Sequence, residues 1–265
     1  MSRTTLELSG GGRIGFARYG RPGRRKLLLH HGLLGNAELP PEWEQRAAVS
    51  EVDLVAVERP GYGLSTPAPL SSVAGWVDHV TPLLQHLGWD TFDVAGISAG
   101  APYAYALAAK LPERVRAVWI LSGVPFLGAA GVLERYPEAS QHAYAFYREG
   151  PEDGVRAQME GFLSMLPEEV QAHPILGRAV EEVKAHAFSG PTREARLQIL
   201  PWGFGPEDVR QKVTLWHARE DDMVPFPAIE LSAGFLPASE LILQVEPEHI
   251  PSDTTETQLF ERLRA

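Results

Sequence analysis

Cysteine is absent from the 265 residues, and with it go disulfide frameworks, thiol nucleophiles and thiolate metal sites. Positive charge is scarce beside negative: 24 Lys and Arg face 34 Asp and Glu, a formal charge of −10. That balance repels phosphate backbones, and no dense Lys/Arg stripe interrupts it, so the composition argues against a nucleic-acid partner. Long apolar runs are missing too. Nothing approaches the roughly 18 consecutive apolar residues of a membrane-crossing helix, and the polar, Gly-rich segment Met1 to Gly12 lacks the apolar centre of a signal peptide. The expectation is a cytoplasmic chain without membrane partners. Internal repeats, low-complexity tracts and Gly/Ser linkers are lacking as well. What is present is globular text, 44% hydrophobic and 22% charged, far from disordered or collagen-like composition. A chain of this length buries roughly three quarters of the surface its unfolded form exposes, enough to fold without metal or disulfide staples.

Short apolar runs of strand length, each closed by Gly, Pro or polar residues, predict strands at Arg13–Tyr19, Lys26–His30, Leu54–Val57, Phe92–Ala95, Val115–Leu121, Val213–His217 and Leu241–Val245. Helix-length segments fall between them, at Glu42–Val49, Ser72–Leu87, Ala99–Leu111, Ala228–Phe235 and Thr254–Arg264. Runs such as Leu27-Leu28-Leu29 and Val118-Trp119-Ile120-Leu121 suit strands covered on both faces. The implied class is α/β, with a mostly parallel central sheet and helices on both faces. From about Pro125 to Trp202 the rhythm breaks into helical text punctuated by Pro137, Pro151, Pro167, Pro174 and Pro191. We read residues 125–202 as a helical insertion, and residues 1–124 and 203–265 as the core that it interrupts. Gly10-Gly11-Gly12 lacks the Lys-Ser/Thr of a phosphate loop and reads as a hairpin turn.

The densest chemistry lies in Phe92-Asp93-Val94-Ala95-Gly96-Ile97-Ser98-Ala99-Gly100, where a strand runs through Gly-x-Ser-x-Gly into a helix. A serine on so sharp a turn has strained backbone dihedrals and close neighbours, so small residues must flank it, and Gly96 and Gly100 do. The bare pattern arises by chance about one time in eight in a chain of this size; its strand-turn-helix context carries the weight. The bland alternative is that Ser98 caps the helix. The following helix would direct its partial positive end at Ser98.

A serine hydroxyl needs a base, and the base a group to orient it. His249 stands in a Pro-bounded loop after the last predicted strand, where parallel sheets place their chemistry; one of nine histidines could equally be a solvated loop residue. Acid candidates follow the strand Val213–His217 in Glu220, Asp221 and Asp222. They could equally be turn-forming surface charges, and the residues alone do not choose among them. At the other end, His30-His31-Gly32-Leu33-Leu34-Gly35 leaves a strand as a loop that can aim a backbone N–H at a developing oxyanion. Leu33 and Ala99 are the assigned donors. The adjacent histidines at 30 and 31 have no carboxylate at helix or turn spacing, which argues against a metal site.

With these residues in hand, the chain resembles the α/β-hydrolase superfamily over nearly its whole length. The resemblance rests on the His31-Gly32 loop, the turn Glu58-Arg59-Pro60-Gly61-Tyr62-Gly63-Leu64-Ser65, the elbow around Ser98, and the late pair Asp221-Asp222-Met223-Val224-Pro225 and His249. It implies Ser98 as nucleophile, Asp221 as the acid because it stands three residues before Val-Pro, and His249 as the base. It also implies that residues 125–202 are a helical cap, with Tyr136, Tyr144, Phe146, Tyr147, Met159, Phe162, Met165 and Phe188 available for an apolar pocket or for packing within the cap. Departures are instructive. Glu58 stands where many relatives carry Asp, and the His-Gly-Leu loop differs from the Gly-rich triplet of some lipases and from the His-Gly-Gly-Pro of proline iminopeptidases. Ser98 occupies the position of the aspartate nucleophile of haloalkane dehalogenases and epoxide hydrolases.

The implied activity is hydrolysis of a carboxylic ester or related acyl bond of a small-molecule substrate, without a cofactor. Rival readings keep the triad for a C–C or amide bond or for perhydrolysis, with Glu152-Asp153, Glu168-Glu169 or Glu181-Glu182 binding a substrate amine. A third keeps the scaffold as a non-catalytic binding module.

Overall fold

The computed structural model describes residues 2–22 and 25–264; Met1, Gly23, Arg24 and Ala265 of the two expected core segments lie outside the described residues. Among the described residues, eight strands form one sheet: β1 (Thr4–Glu7), β2 (Arg13–Gly20), β3 (Arg25–His30), β4 (Val52–Val57), β5 (Phe92–Ile97), β6 (Val115–Leu121), β7 (Lys212–Ala218) and β8 (Ser239–Gln244). Their order is β1-β2-β4-β3-β5-β6-β7-β8. β2 pairs antiparallel with β1 and β4, and every later pairing is parallel. Parallel strands need crossovers, and these are helical. α1 (Pro41–Val49), α2 (Trp76–His86) and α3 (Ala101–Lys110) precede β6; α4 (Glu138–Glu149), α5 (Glu152–Ser164), α6 (Glu168–Ala172), α7 (Leu176–Ala185) and α8 (Ser189–Ile199) lie between β6 and β7; α9 (Phe226–Ala233) and α10 (Asp253–Arg264) follow.

Alternation along the strands explains why both faces are covered. Leu28, Val55, Val94, Val118, Ile120 and Leu215 point to one side and pack with Trp76, Leu83 and Leu84 of α2, the Ala- and Tyr-rich α3, and Ala228 and Ile229 of α9. Leu27, Leu29, Leu54, Ala95, Trp119 and Trp216 point to the other and meet Trp43 and Ala47 of α1 and Leu259, Phe260 and Leu263 of α10. Apolar residues at both odd and even positions are what a doubly covered sheet requires.

The seven expected strands are present, β6 with the same ends and the others with ends moved by one or two residues. β1 was not expected. Its Thr-Thr-Leu-Glu text is short and half-exposed, so its stability comes from its partner rather than from its own pattern. The glycine triplet closes that hairpin, with Leu8 N–H donating to Gly12 O and Gly11 N–H to Leu8 O. The helix expected over Ser72–Leu87 begins as a 3-10 turn at Val73–Gly75 before α2. Between β6 and β7 the text folds as five helices, with Pro137, Pro151 and Pro167 immediately before α4, α5 and α6. Proline is tolerated there because the first N–H groups of a helix have no internal acceptor. Among the described residues, no helix is long and apolar enough to cross a membrane.

Candidate active site

Ser98 begins a 3-10 turn between β5 and α3 with φ of 49°, a left-handed conformation that is costly for a residue with a Cβ. The flanking glycines make the turn possible. A Cβ on Gly96 would sit 2.7 Å from the backbone of Gly100 and Ala101, and one on Gly100 would sit 2.3 Å from His30 O. One glycine lets the helix fold back on its strand; the other lets the β3 loop cross the helix start. Ser98 O accepts from Val124 N–H after β6, which pins the turn to the neighbouring strand. Its hydroxyl caps nothing: α3 has no side-chain cap.

That hydroxyl lies 2.8 Å from His249 Nε2, and His249 Nδ1 lies 2.7 Å from Asp221 Oδ2. Three side chains from β5, the β7 loop and the β8 loop thus meet at the carboxyl ends of their strands. Burial distinguishes the three neighbouring acids, since Asp221 is 6% exposed while Glu220 and Asp222 face solvent. Oδ1 of Asp221 accepts from Met223 N–H at 2.9 Å and Val224 N–H at 2.8 Å, leaving Oδ2 for the imidazole. Burial alone would push this carboxyl up, but the hydrogen bond and charge of His249, with Val224 N–H and His217, hold it below its ordinary value.

Two supporting residues escaped the sequence reading. His217, at the end of β7, is fully buried and places Nε2 2.7 Å from Val224 O and 3.2 Å from Asp221 Oδ2. Nε2–H donates to Val224 O and so steadies the acid turn, and burial lowers the imidazole from its ordinary value. Gln244, at the end of β8, directs its amide nitrogen at the carbonyls of Glu246, Glu248 and Ile250, 2.9–3.2 Å away, and so folds the loop that carries His249. Neither residue belongs to a motif; in the sequence His217 closes the expected strand Val213–His217 and Gln244 lies within the expected strand Leu241–Val245.

The loop after β3 comes to the same place. A Cβ on Gly32 would lie 3.5 Å from Ser98 Cβ, so the Gly32–Leu33 peptide borders the serine. Ala99 follows Ser98 in the 3-10 turn and is buried. Among the described residues, neither Leu33 N–H nor Ala99 N–H donates to a backbone or side-chain acceptor. His30 is fully buried with both ring nitrogens engaged: Nδ1–H donates to Ala95 O at 2.9 Å, and Nε2 accepts from Trp76 Nε1–H at 3.0 Å. In His31, Nδ1–H donates to Gly32 O at 2.7 Å and Nε2 accepts from Arg59 N–H at 3.3 Å. These imidazoles brace the loop.

Residues expected to line a pocket divide by position. Phe146, Tyr147 and Met159 pack with Val155 and Ala195 inside the helical region, and Phe162 and Phe188 pack with Leu34 and Tyr62 beside the β3 loop. Tyr136 and Tyr144 join the main core in an edge-to-face pair, and Met165 is 79% exposed. A cleft of about 420 Å³ between Pro67–Ser71 and α8 is lined by neither Ser98, Asp221 nor His249. Of the acidic pairs, Glu152, Asp153, Glu168, Glu169 and Glu181 face solvent, while Glu182 is taken by Arg3 and Asn36. Glu58, with one methylene more than Asp, is fully buried and accepts from Arg3, Ala37 N–H and Leu64 N–H, so it ties the N-terminus, the β3 loop and its own turn together.

A parallel α/β sheet with serine, acid and histidine at its carboxyl edge, in that chain order, defines a class of protein. The profile of the α/β-hydrolase fold family matches residues 26–254, and the chain belongs to that family. A serine hydrolase-like protein from Dictyostelium discoideum is 30% identical over 106 residues, 39% of this chain and 30% of that protein. The chain spans about a third of the length of the curated relatives it matches. Among solved structures, a thermophilic esterase from Thermogutta terrifontis superposes with a TM-score of 0.69 at 18% identity, covering 100% of this chain and 97% of that one. An epoxide hydrolase from hot-environment metagenomes gives 0.74 at 13% identity, covering 100% and 99%. These distant likenesses establish the shared fold.

Proposed function

We propose that this chain is a serine hydrolase that cleaves a carboxylic ester or a closely related acyl bond of a small-molecule substrate, with Ser98, His249 and Asp221 as its triad. The observation that carries this reading is the continuous chain from Ser98 Oγ through His249 to Asp221, with contacts of 2.8 and 2.7 Å. Ser98 Oγ attacks the carbonyl carbon as His249 Nε2 takes its proton, while Asp221 Oδ2 accepts from Nδ1–H and stabilises the imidazolium. The carbonyl oxygen becomes an oxyanion held by Leu33 and Ala99 N–H groups, each worth about 10²–10³ in rate. Collapse expels the alcohol, which receives the proton from His249. Water, deprotonated by the same imidazole, then attacks the acyl-enzyme and frees the acid and Ser98. Every step uses groups of this chain, without a cofactor.

Helices α4–α8 act as a cap over this edge of the sheet in this reading, with residues 125–202 as the inserted unit, and the protein works in the cytoplasm. The seat of the aspartate nucleophile used by epoxide hydrolases holds Ser98, which favours acyl transfer over epoxide opening. Amide cleavage anchored on an acidic pair has less support, because Glu182 is already neutralised by Arg3. A binding module would have no need of an aligned hydroxyl–imidazole–carboxylate chain. Replacing Ser98 by Ala should lower kcat on p-nitrophenyl acetate by about 10⁴ or more with circular dichroism unchanged. Parent-like turnover in Ser98→Ala would overturn the assignment.

A further inference from the structure

Arg59 and Glu194 form a fully buried ion pair between the turn after β4 and helix α8, 135 residues apart in sequence. Arg59 Nε pairs with Glu194 Oε1 and Nη2 lies 3.0 Å from Oε2. The same guanidinium reaches in the other direction, with Nη1 2.5 Å from His31 O and Nη2 3.2 Å from Gly32 O. Tyr62 and Tyr103 stack against it, 5.3 and 4.9 Å from their ring centres, and Tyr62 OH donates to Glu194 at 3.0 Å. Helix α8 seats closely here, since a Cβ on Gly190 would lie 2.6 Å from the Tyr62 ring.

The consequence follows from peptide geometry. In a trans peptide the C=O and N–H of one plane point to opposite sides. Gly32 O is drawn toward Arg59 Nη2 and His31 Nδ1, so Leu33 N–H, in the same plane, is turned away from Arg59. Gly32 itself borders Ser98. A buried ion pair is seldom retained for stability, because apolar replacements are often as stable; a rigid fork that holds two successive carbonyls supplies orientation that lysine or an apolar side chain does not.

We propose that Arg59 and Glu194 are positioning residues that aim Leu33 N–H at the oxyanion, so that helix α8 sets the competence of the acyl-transfer site. This rests on the reading of Ser98 as nucleophile. The test compares the parent chain with Arg59→Met/Glu194→Leu and with Arg59→Lys, which keeps a charge for Glu194 but lacks the fork. Two readouts are taken: kcat and KM on a p-nitrophenyl ester, and the labelling rate by a fluorophosphonate, in which Ser98 Oγ bonds to phosphorus, fluoride leaves, the serine proton passes to His249 and the phosphoryl oxygen takes the oxyanion position. Both variants should keep KM within about threefold, while kcat and labelling fall together by about 10²–10³-fold, the scale of losing one oxyanion donor. A purely structural pair would lower melting temperature and leave the rates of the folded fraction unchanged. Parent-like kcat and labelling in either folded variant would overturn the proposal while the parent still labels at Ser98. A parent that does not label at Ser98 would overturn the reading beneath it as well.

Discussion

Three buried imidazoles, His30, His31 and His217, and the half-buried His79 share one property. Desolvation, the largest influence on each, lowers His30 to about 3 and holds His31, His79 and His217 below the ordinary 6.5. Neutral rings let His30 and His31 each donate from one nitrogen and accept at the other, which is how they brace the loop beside Ser98. For a histidine depressed in the folded state, the unfolded chain binds the proton more readily. Its contribution to stability is therefore complete above about pH 6.5 and lost as pH falls toward the folded value, by up to about 1.4 kcal/mol per pH unit for each ring. Glu58 and Glu256, raised by burial, the latter to about 7, work in the opposite sense, but the histidines outnumber them. Unfolding near pH 6 should take up protons on balance, and the urea midpoint should fall from pH 7 to pH 5. Calorimetry in buffers of different ionisation enthalpy measures the uptake; net proton release would contradict this account. The strand-turn-helix context drew attention to Ser98 over a plain helix cap, and only its position after the last predicted strand raised His249 above a solvated loop histidine. Asp221 stayed one of three acids until the resemblance singled it out, because the pattern alone does not reveal which carboxylate the turn buries. Arg59 was read only as part of a turn, and Glu194 lies too far along the chain for any local signal.

Elements were legible in proportion to how much of their stability is local. Strands β3 to β7, apolar on both faces, announced themselves as continuous runs, and the helices between them had length and bounding prolines. β1 did not, since four residues, three of them polar and none buried, become a strand only when β2 offers an edge. The strand-turn-helix unit around Ser98 stores strain at φ of 49° that its neighbours must hold in place. Gly100 is the tightest point, with backbone oxygen only 2.3 Å from where a Cβ would stand. Backbone cannot give way as a side-chain tip can, so Gly100→Ala should destabilise by about 3 kcal/mol, at the upper end of overpacking costs, and lower activity in the fraction still folded. Urea unfolding against the parent checks this; an unchanged midpoint would show that the strand and helix are held less closely than described.

Across the whole molecule, the helical region between β6 and β7 is joined to the sheet by polar clamps as well as apolar packing. Arg59–Glu194 ties α8 to the turn after β4, and Arg3 bridges Glu182 of α7 to Glu58. Such long-range pairs, buried or nearly so, were invisible in the text because no periodicity relates their members. The sheet's order and its crossovers bring the carboxyl ends of β5, β7 and β8 to one edge, with β6 between β5 and β7, and so gather a serine, an acid and a histidine spread over 151 residues. In the function proposed above, this gathering makes Ser98 a nucleophile dependent on His249. Peptide mass spectrometry after reaction with a fluorophosphonate tests it most directly: one adduct per chain, on Ser98, strongly suppressed in His249→Ala, is the expected result. An adduct on another residue, or equal labelling of Ser98 when His249 is gone, would contradict it.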